Sequence, residues 1–216
     1  MKVVCISDTH NFHNHVDVPD GDILIHAGDF TLAGSLSEVL DFNDWLGTLD
    51  HTYKIIIAGN HDRCLGQNDT LGFKMITNGT YLMNSGIDID GIKIWGSPLT
   101  PAFKGMRGGL TFYADRDGKA MKRTWQGMPK KIDILITHGP PLGILDYVLY
   151  GPDSGLHVGD GMLAGKVIER KPKYHIFGHI HEGYGTFKAD YGTKFINCSV
   201  VNASYNVVNK PIEFTI

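Results

Sequence analysis

Five short runs in this 216-residue chain are nearly continuously apolar and rich in β-branched residues. They are Val3–Ser7 (VVCIS), Ile23–His26 (ILIH), Lys54–Ala58 (KIIIA), Ile132–Thr137 (IDILIT) and Tyr174–Phe177 (YHIF). Runs of this length that lack polar alternation mark strands covered on both faces. Each is followed at once by polar residues: Asp8-Thr9-His10, Gly28-Asp29, Gly59-Asn60-His61-Asp62, His138-Gly139-Pro140-Pro141 and Gly178-His179-Ile180-His181. Ligands of open α/β sheets gather beyond the carboxyl ends of the strands, so the five segments are expected to converge on one site. Helical spacing of apolar residues predicts helices over Ser37–Leu49, Asp117–Gln126 and Val158–Lys171, the last stopped by Pro172. Further strands are expected at Gly79–Met83, Ile87–Trp95, Gly185–Lys188, Lys194–Asn197 and Pro211–Ile216, with tight turns at Asp90-Gly91 and Tyr191-Gly192. Strands alternating with helices predict an α/β layered fold. With no linker, repeat or low-complexity tract, residues 1–216 read as a single domain.

Composition narrows the function classes. A formal net charge of −3 gives no global pull toward nucleic acid or a membrane surface. The opening MKVVCISDTH is too short an apolar stretch for a signal peptide, and no 18-residue apolar run suggests a membrane span. Cys5, Cys64 and Cys198 form neither a disulfide framework nor a CxxC pair. These features predict a cytoplasmic protein with reduced thiols and no membrane partner. A nucleic-acid partner is not indicated, and self-association is left open.

A single histidine after a strand is usually a hydrogen-bonded structural residue. Seven polar side chains clustering at one sheet edge are different, because buried charge needs a partner or a metal. The candidate ligands are Asp8, His10, Asp29, Asn60, His138, His179 and His181. They are oxygen and imidazole donors without thiolate, which suits Mn²⁺, Fe²⁺/³⁺ or Zn²⁺ rather than a Cys-rich structural zinc site. The expected cofactor is two divalent ions, Mn²⁺ favoured, with Fe, Zn or Ni as alternatives. Seven donors are too many for one ion and about right for two. Asp29, on its own Gly-Asp turn, is the better bridge. Two carboxylates against two divalent cations leave positive charge for a bound hydroxide and an anionic substrate, which points to phosphate ester hydrolysis. His26 and His175 are expected to be packed structural residues, and His51 carries no role. His13 and His15 are expected at the pocket or in solvent. His157, ahead of the last helix, is a candidate substrate contact.

The motifs DTH (8–10), GDF (28–30), GNHD (59–62), THGPP (137–141) and GHIH (178–181) resemble those of the calcineurin-like metallophosphoesterase superfamily. HAGDFT (26–31), ITHGPPLG (136–143), HIFGHIHEGYG (175–185) and NCSVVNASYNVVNKPIEF (197–214) are similar to its small branch related to class III cyclic nucleotide phosphodiesterases. The resemblance implies a four-layer αββα sandwich of two mixed sheets. It also implies one metal on Asp8, His10, Asp29 and His181, and a second on Asp29, Asn60, His138 and His179. His61 would face the substrate as phosphate ligand or general acid, with Asp62 holding it in place. Asn60 would lie against the substrate as well. The chain reads FTLAG after Gly28-Asp29 and GNHD rather than GNHE, unlike protein Ser/Thr phosphatases. Leu32 stands where purple acid phosphatases have a ligating Tyr.

Residues 104–131 hold eight of the twenty basic residues. Most are expected on a solvated face. Arg107, in the Gly-rich GMRGG, is the candidate phosphate contact. Trp95, Phe103, Phe112 and Tyr113 are aromatics able to stack on a base. The expected activity is that of a phosphodiesterase acting on nucleotides or other small diesters. A phosphomonoesterase, a nucleotide pyrophosphatase, a nuclease or a non-catalytic metal-binding scaffold are the alternatives.

Overall fold

The computed structural model describes residues 1–66, 70–102 and 111–216. Lys104, Arg107 and Phe103 lie outside the described residues. The first half of the chain holds β1 (Lys2–Ile6), β2 (Ile23–His26), α1 (Leu36–Gly47), β3 (Tyr53–Ile56), α2 (Thr70–Lys74) and β4 (Thr80–Tyr81). Next come β5 (Ser85–Ile89), β6 (Ile92–Ser97), β7 (Thr100–Pro101), β8 (Tyr113–Ala114) and α3 (Lys119–Gly127). The remainder holds β9 (Ile134–Thr137), α4 (Gly161–Arg170), β10 (Tyr174–Phe177), β11 (Gly185–Lys188), β12 (Lys194–Asn197) and β13 (Ile212–Thr215).

Two mixed sheets result. One has the order β13-β1-β2-β3-β4 and the other β11-β12-β10-β9-β6-β5. In each the central strands are parallel; the first sheet has one antiparallel edge strand, β13 on β1, and the second has two, β11 on β12 and β5 on β6. The run Ile87–Trp95 folds as the β5–β6 hairpin, because Asp90 and Gly91 both take positive φ (49° and 86°), the geometry of a tight hairpin turn.

Alternation along the central strands sorts the core into layers. Val3, Cys5, Ile23, Ile25 and Ile55 face Ile94, Ile134, Ile136, Ile176 and Ile196 in the middle layer. On the opposite face of the first sheet, Val4, Ile6, Leu24 and Ile56 pack on Val39, Phe42, Trp45 and Leu46 of α1. Beyond the second sheet, Leu135, Phe177 and Phe195 pack on Met121 and Trp125 of α3 and Leu163 and Val167 of α4. The order helix, sheet, sheet, helix follows from these three apolar clusters, as the resemblance implied.

The helix starts differ from expectation for a local reason. α1 opens on a capping box, Ser35 accepting from Glu38 N while Glu38 reaches back to Ser35 N. α4 begins three residues later than expected. Its cap is Asp160, whose side chain accepts from Met162 N and Leu163 N while its own backbone bridges to Pro141. Asp160 Oδ2 also takes the Trp125 indole N–H at 2.6 Å, tying α3 to α4. Asp160→Ala therefore removes a cap and leaves a buried indole donor unpaired. It is expected to lower stability by about 2–4 kcal/mol, read as a shift in the urea unfolding midpoint.

Candidate metal centre

The two sheets are stitched together at one edge. Ser7, at the end of β1, donates its N–H to Cys198 O and accepts from Val200 N, so the carboxyl ends of both sheets meet there. All five polar segments leave the sheets at this edge. Asp8 N bonds Gly28 O, His10 N bonds Asp29 O and Gly178 N bonds His138 O, extending strand-like pairing into the loops. To turn their side chains inward, several residues take left-handed backbone: Asp8 (φ 57°), His10 (42°), Asp29 (55°) and His179 (68°). Four non-glycine residues in this region at one spot is stored strain held by the surrounding bonds.

Asp29 is at the centre. Its Oδ1 accepts the His61 N–H at 2.7 Å. Its Oδ2 lies 3.3 Å from His138 Nε2 and 3.9 Å from His10 Nε2. On one side stand Asp8, His10 and His181, with His10 Nε2 3.4 Å from His181 Nε2 and Asp8 Oδ1 3.6 Å from His181 Nε2. On the other stand His138 and His179, with Asn60 Oδ1 3.0 Å from His138 Nε2. Asp8 is oriented by Ser199 Oγ–H at 2.7 Å and by the His179 N–H.

The histidine hydrogens show what this pocket holds. Nδ1 of His138 faces Ala27 O at 3.0 Å, Nδ1 of His181 faces Asn202 O at 3.1 Å, and Nδ1 of His10 faces Thr31 O at 3.3 Å. A carbonyl only accepts, so each Nδ1 carries the hydrogen and each Nε2 turns a lone pair to the cluster. Two such lone pairs, those of His10 and His181, then face each other at 3.4 Å. The His138 lone pair faces two oxygen acceptors. Only a proton or a cation between them makes this arrangement favourable. Without cations, protons take that place. Burial disfavours charge on His138, but the Asp29 and Asp8 carboxylates outweigh it and push its pKa up to about 9. For His181 burial is again opposed by Asp8, with a net rise. Burial raises and the neighbouring imidazoles lower the Asp8 and Asp29 carboxyls, with a net fall in both. Burial holds His10 down to about 4 and His179 to about 3, neutral donors at ordinary pH. The residues fit divalent metal.

His61 borders the same cavity, its Nδ1 held by Leu32 O at 2.8 Å. Asp62 does not hold that ring, contrary to expectation. Its carboxylate accepts the N–H groups of Gly59, Asp29 and Thr31 and the Thr31 hydroxyl, and so braces the two loops that carry Asp29 and Asn60. Burial, then the Asp29 charge, raise its pKa to about 7. His157 is a second correction. Its Nδ1 is 2.6 Å from Asp146 Oδ1, and it is not among the cavity-lining residues. Asp146 also accepts from Gly143 N and Gly159 N, and together they brace the 146–158 segment from outside. Trp95 and Phe112 are core residues, and of the suggested stacking aromatics in the described residues only Tyr113 lines the cavity. His13 is buried against Phe42 and Trp45 with Asp41 at 3.1 Å, whereas His15 is exposed. His26 and His175 are packed, bonded to Thr9 and Thr137. Lys119, Lys122, Arg123, Lys130 and Lys131 are exposed, and Arg116 bonds the Val158 and Gly159 carbonyls.

The cavity over the cluster measures about 540 Å³. Sequence reasoning missed most of its outer wall: Val148, Tyr150, Pro152, Asp153, Glu182 and Tyr205. Tyr205, with φ 60°, sets its ring edge-on to His10 and His181 at 4.8 and 5.3 Å. The only sequence signal for it was the Asn/Ser-rich NASYN tract.

Fold and cluster define an α/β sandwich with an Asp/His metal-binding pocket at the carboxyl edge of two mixed sheets. The chain belongs to the calcineurin-like phosphoesterase family, whose model matches residues 1–183. It is 42% identical over 235 aligned residues to human metallophosphoesterase domain-containing protein 1, covering 98% of this chain and 69% of that protein. It is also 40% identical to UPF0046 protein K07C11.7 of Caenorhabditis elegans, covering 100% and 75%. Among solved structures, phosphopantetheinyl hydrolase from Mycobacterium tuberculosis superposes with TM-score 0.58 at 16% identity over 94% and 90% of the chains. TT1561 of Thermus thermophilus superposes with TM-score 0.59 at 12% identity over 91% and 88%. The family is one of metal-dependent hydrolases. Among the described residues no helix is long and apolar enough to cross a membrane.

Gly178 is where the cluster tolerates least change. A Cβ there would lie 2.0 Å from Asp8 Oδ2 and 2.2 Å from Ser7 Oγ. Gly178→Ala is expected to displace Asp8 and weaken metal retention. Ser199→Ala removes only one bond to the same carboxylate, and should weaken metal affinity about 10-fold. Metal content after dialysis against graded chelator ranks the two against wild type.

Proposed function

We propose that the chain is a dinuclear metal-dependent phosphodiesterase acting on small phosphodiesters, nucleotides among them. The observation that carries this reading is the division of the donors into two groups that share Asp29. Asp8, His10, Asp29 and His181 would hold one ion, and Asp29, Asn60, His138 and His179 the other; the thiolate-free oxygen and imidazole set is compatible with Mn²⁺, Fe or Zn, and Mn²⁺ is the ion this reading takes first. Two ions so held supply Lewis acidity toward a phosphoryl oxygen and toward water.

The chain's own residues supply the rest. The Leu32 carbonyl fixes the His61 ring through Nδ1, so in the protonated ring Nε2 carries the proton a leaving oxygen needs. Asp62 keeps the Asn60 and Asp29 loops in register through their backbone N–H groups. Ile180 and Val148 form an apolar patch on one side of the cavity. Tyr113, Tyr150 and Tyr205 present aromatic walls of a kind that suits a sugar, a base or an aryl leaving group. A volume of about 540 Å³ accommodates a nucleotide-sized ester.

Chelator-stripped protein is expected to cleave bis-p-nitrophenyl phosphate only after Mn²⁺ is restored, and faster than p-nitrophenyl phosphate. Preference for the monoester would move the function to phosphatase, and no cleavage with any metal would remove the enzymatic reading. Asp29→Asn should abolish most activity together with the bound metal. His61→Ala should retain its metal and slow turnover roughly 10²-fold. Normal turnover in the His61 variant would refute its role.

A further inference from the structure

Among the described residues, the charged side chains in the outer wall of the cavity are acidic. The 146–158 segment contributes Asp153, and the turn after β10 contributes Glu182, one residue beyond His181. Among the described residues no Lys or Arg lines the cavity. Here, in the described lining, positive charge comes only from the metal-binding cluster and its imidazoles, and the exposed basic residues of α3 stand outside it.

Glu182 is placed by structure rather than by chance. Its Oε1 accepts the Leu149 N–H at 3.3 Å, which sets the carboxylate between the turn that carries His181 and the cavity wall. Asp153 sits at the turn of the same wall, where Leu156 N returns to Asp153 O and Gly155 N to Val148 O. Both carboxylates are half-buried, which strengthens their field in the cavity relative to open solvent.

We infer that Glu182 and Asp153 are charge-selectivity residues that favour singly charged phosphodiesters and disfavour substrates carrying a second negative charge. Excluded classes are phosphomonoesters in their dianionic form and esters bearing a further phosphate. A hydroxyl-bearing substituent, such as a sugar, gains instead, because carboxylates accept its hydrogen bonds. This rests on the phosphodiesterase reading and supplies its physical basis. The cluster itself attracts either kind of ester, and the acidic wall discriminates between them.

The test neutralises the charge without changing the shape. Glu182→Gln keeps an oxygen for the Leu149 N–H, and Asp153→Asn is isosteric. Metal content is measured first, to confirm that the cluster is unaltered. The ratio of kcat/KM for p-nitrophenyl phosphate, a dianion near pH 8, to that for bis-p-nitrophenyl phosphate is then measured at low and high salt. Each substitution is expected to raise the ratio about 3- to 10-fold at low salt, with the double variant higher and the gain shrinking as salt screens the field. An unchanged ratio, or a change indifferent to salt, overturns the inference. If the wild-type protein cleaves neither ester, the phosphodiesterase reading fails separately. Calorimetric binding of inorganic phosphate to the Mn²⁺-loaded protein then decides: tighter binding by both variants retains the charge selectivity, and equal binding removes it.

Discussion

The structure depends on one buried carboxylate. Asp29 is almost inaccessible, and its two oxygens have different partners: Oδ1 is taken by the His61 N–H and Oδ2 is turned to imidazoles on both sides. A buried carboxylate is stable only if its charge is matched. The loops that match it come from both sheets, so the requirement acts across the whole fold. Ser7 and Cys198 lock the sheets at that edge, Asp62 locks the two loops around Asp29, and Ser199 locks Asp8. The same bonds hold Asp8, His10, Asp29 and His179 in left-handed backbone, a conformation few non-glycine residues adopt. Strain, burial and like-signed lone pairs are concentrated where a cation would relieve the electrostatic part.

Much of this was legible in the sequence because two kinds of pattern coincide. Apolar continuity located the five central strands to within two residues, since strands covered on both faces leave little room for polar residues. The polar residue beginning each following loop then named the donors around the cluster. What the sequence could not show was direction. Asp62 and His157 are each beside residues of the right chemistry, yet their partners are backbone N–H groups and Asp146 respectively. Nothing in a one-dimensional pattern distinguishes a carboxylate facing a ring from one facing the chain behind it. The outer wall was invisible for a related reason. Val148, Asp153, Glu182 and Tyr205 sit in irregular segments without periodicity, and their convergence depends on how the 146–158 segment folds back through Val148, Gly155 and Leu156.

The buried histidines illustrate how direction decides role. His26 is as buried as His138 and lies on the strand beside the cluster. Its Nδ1 accepts the Gly28 N–H, so its Nε2 holds the hydrogen and donates it to Thr9 Oγ1. Both nitrogens are used by the protein, and burial keeps the ring neutral, with a pKa held down to about 3. His138 begins from the opposite choice: Nδ1 gives its hydrogen to Ala27 O, and Nε2 is left as a lone pair among oxygens. The pair differ by which backbone group Nδ1 meets, an N–H in one case and a carbonyl in the other. That contact leaves the His138 Nε2 turned to the cluster, whereas both His26 nitrogens are already taken up by the protein. His10 and His181 repeat the His138 choice with Thr31 and Asn202 carbonyls. For His10, His138 and His181, backbone carbonyls at the sheet edge therefore turn Nε2 to the centre.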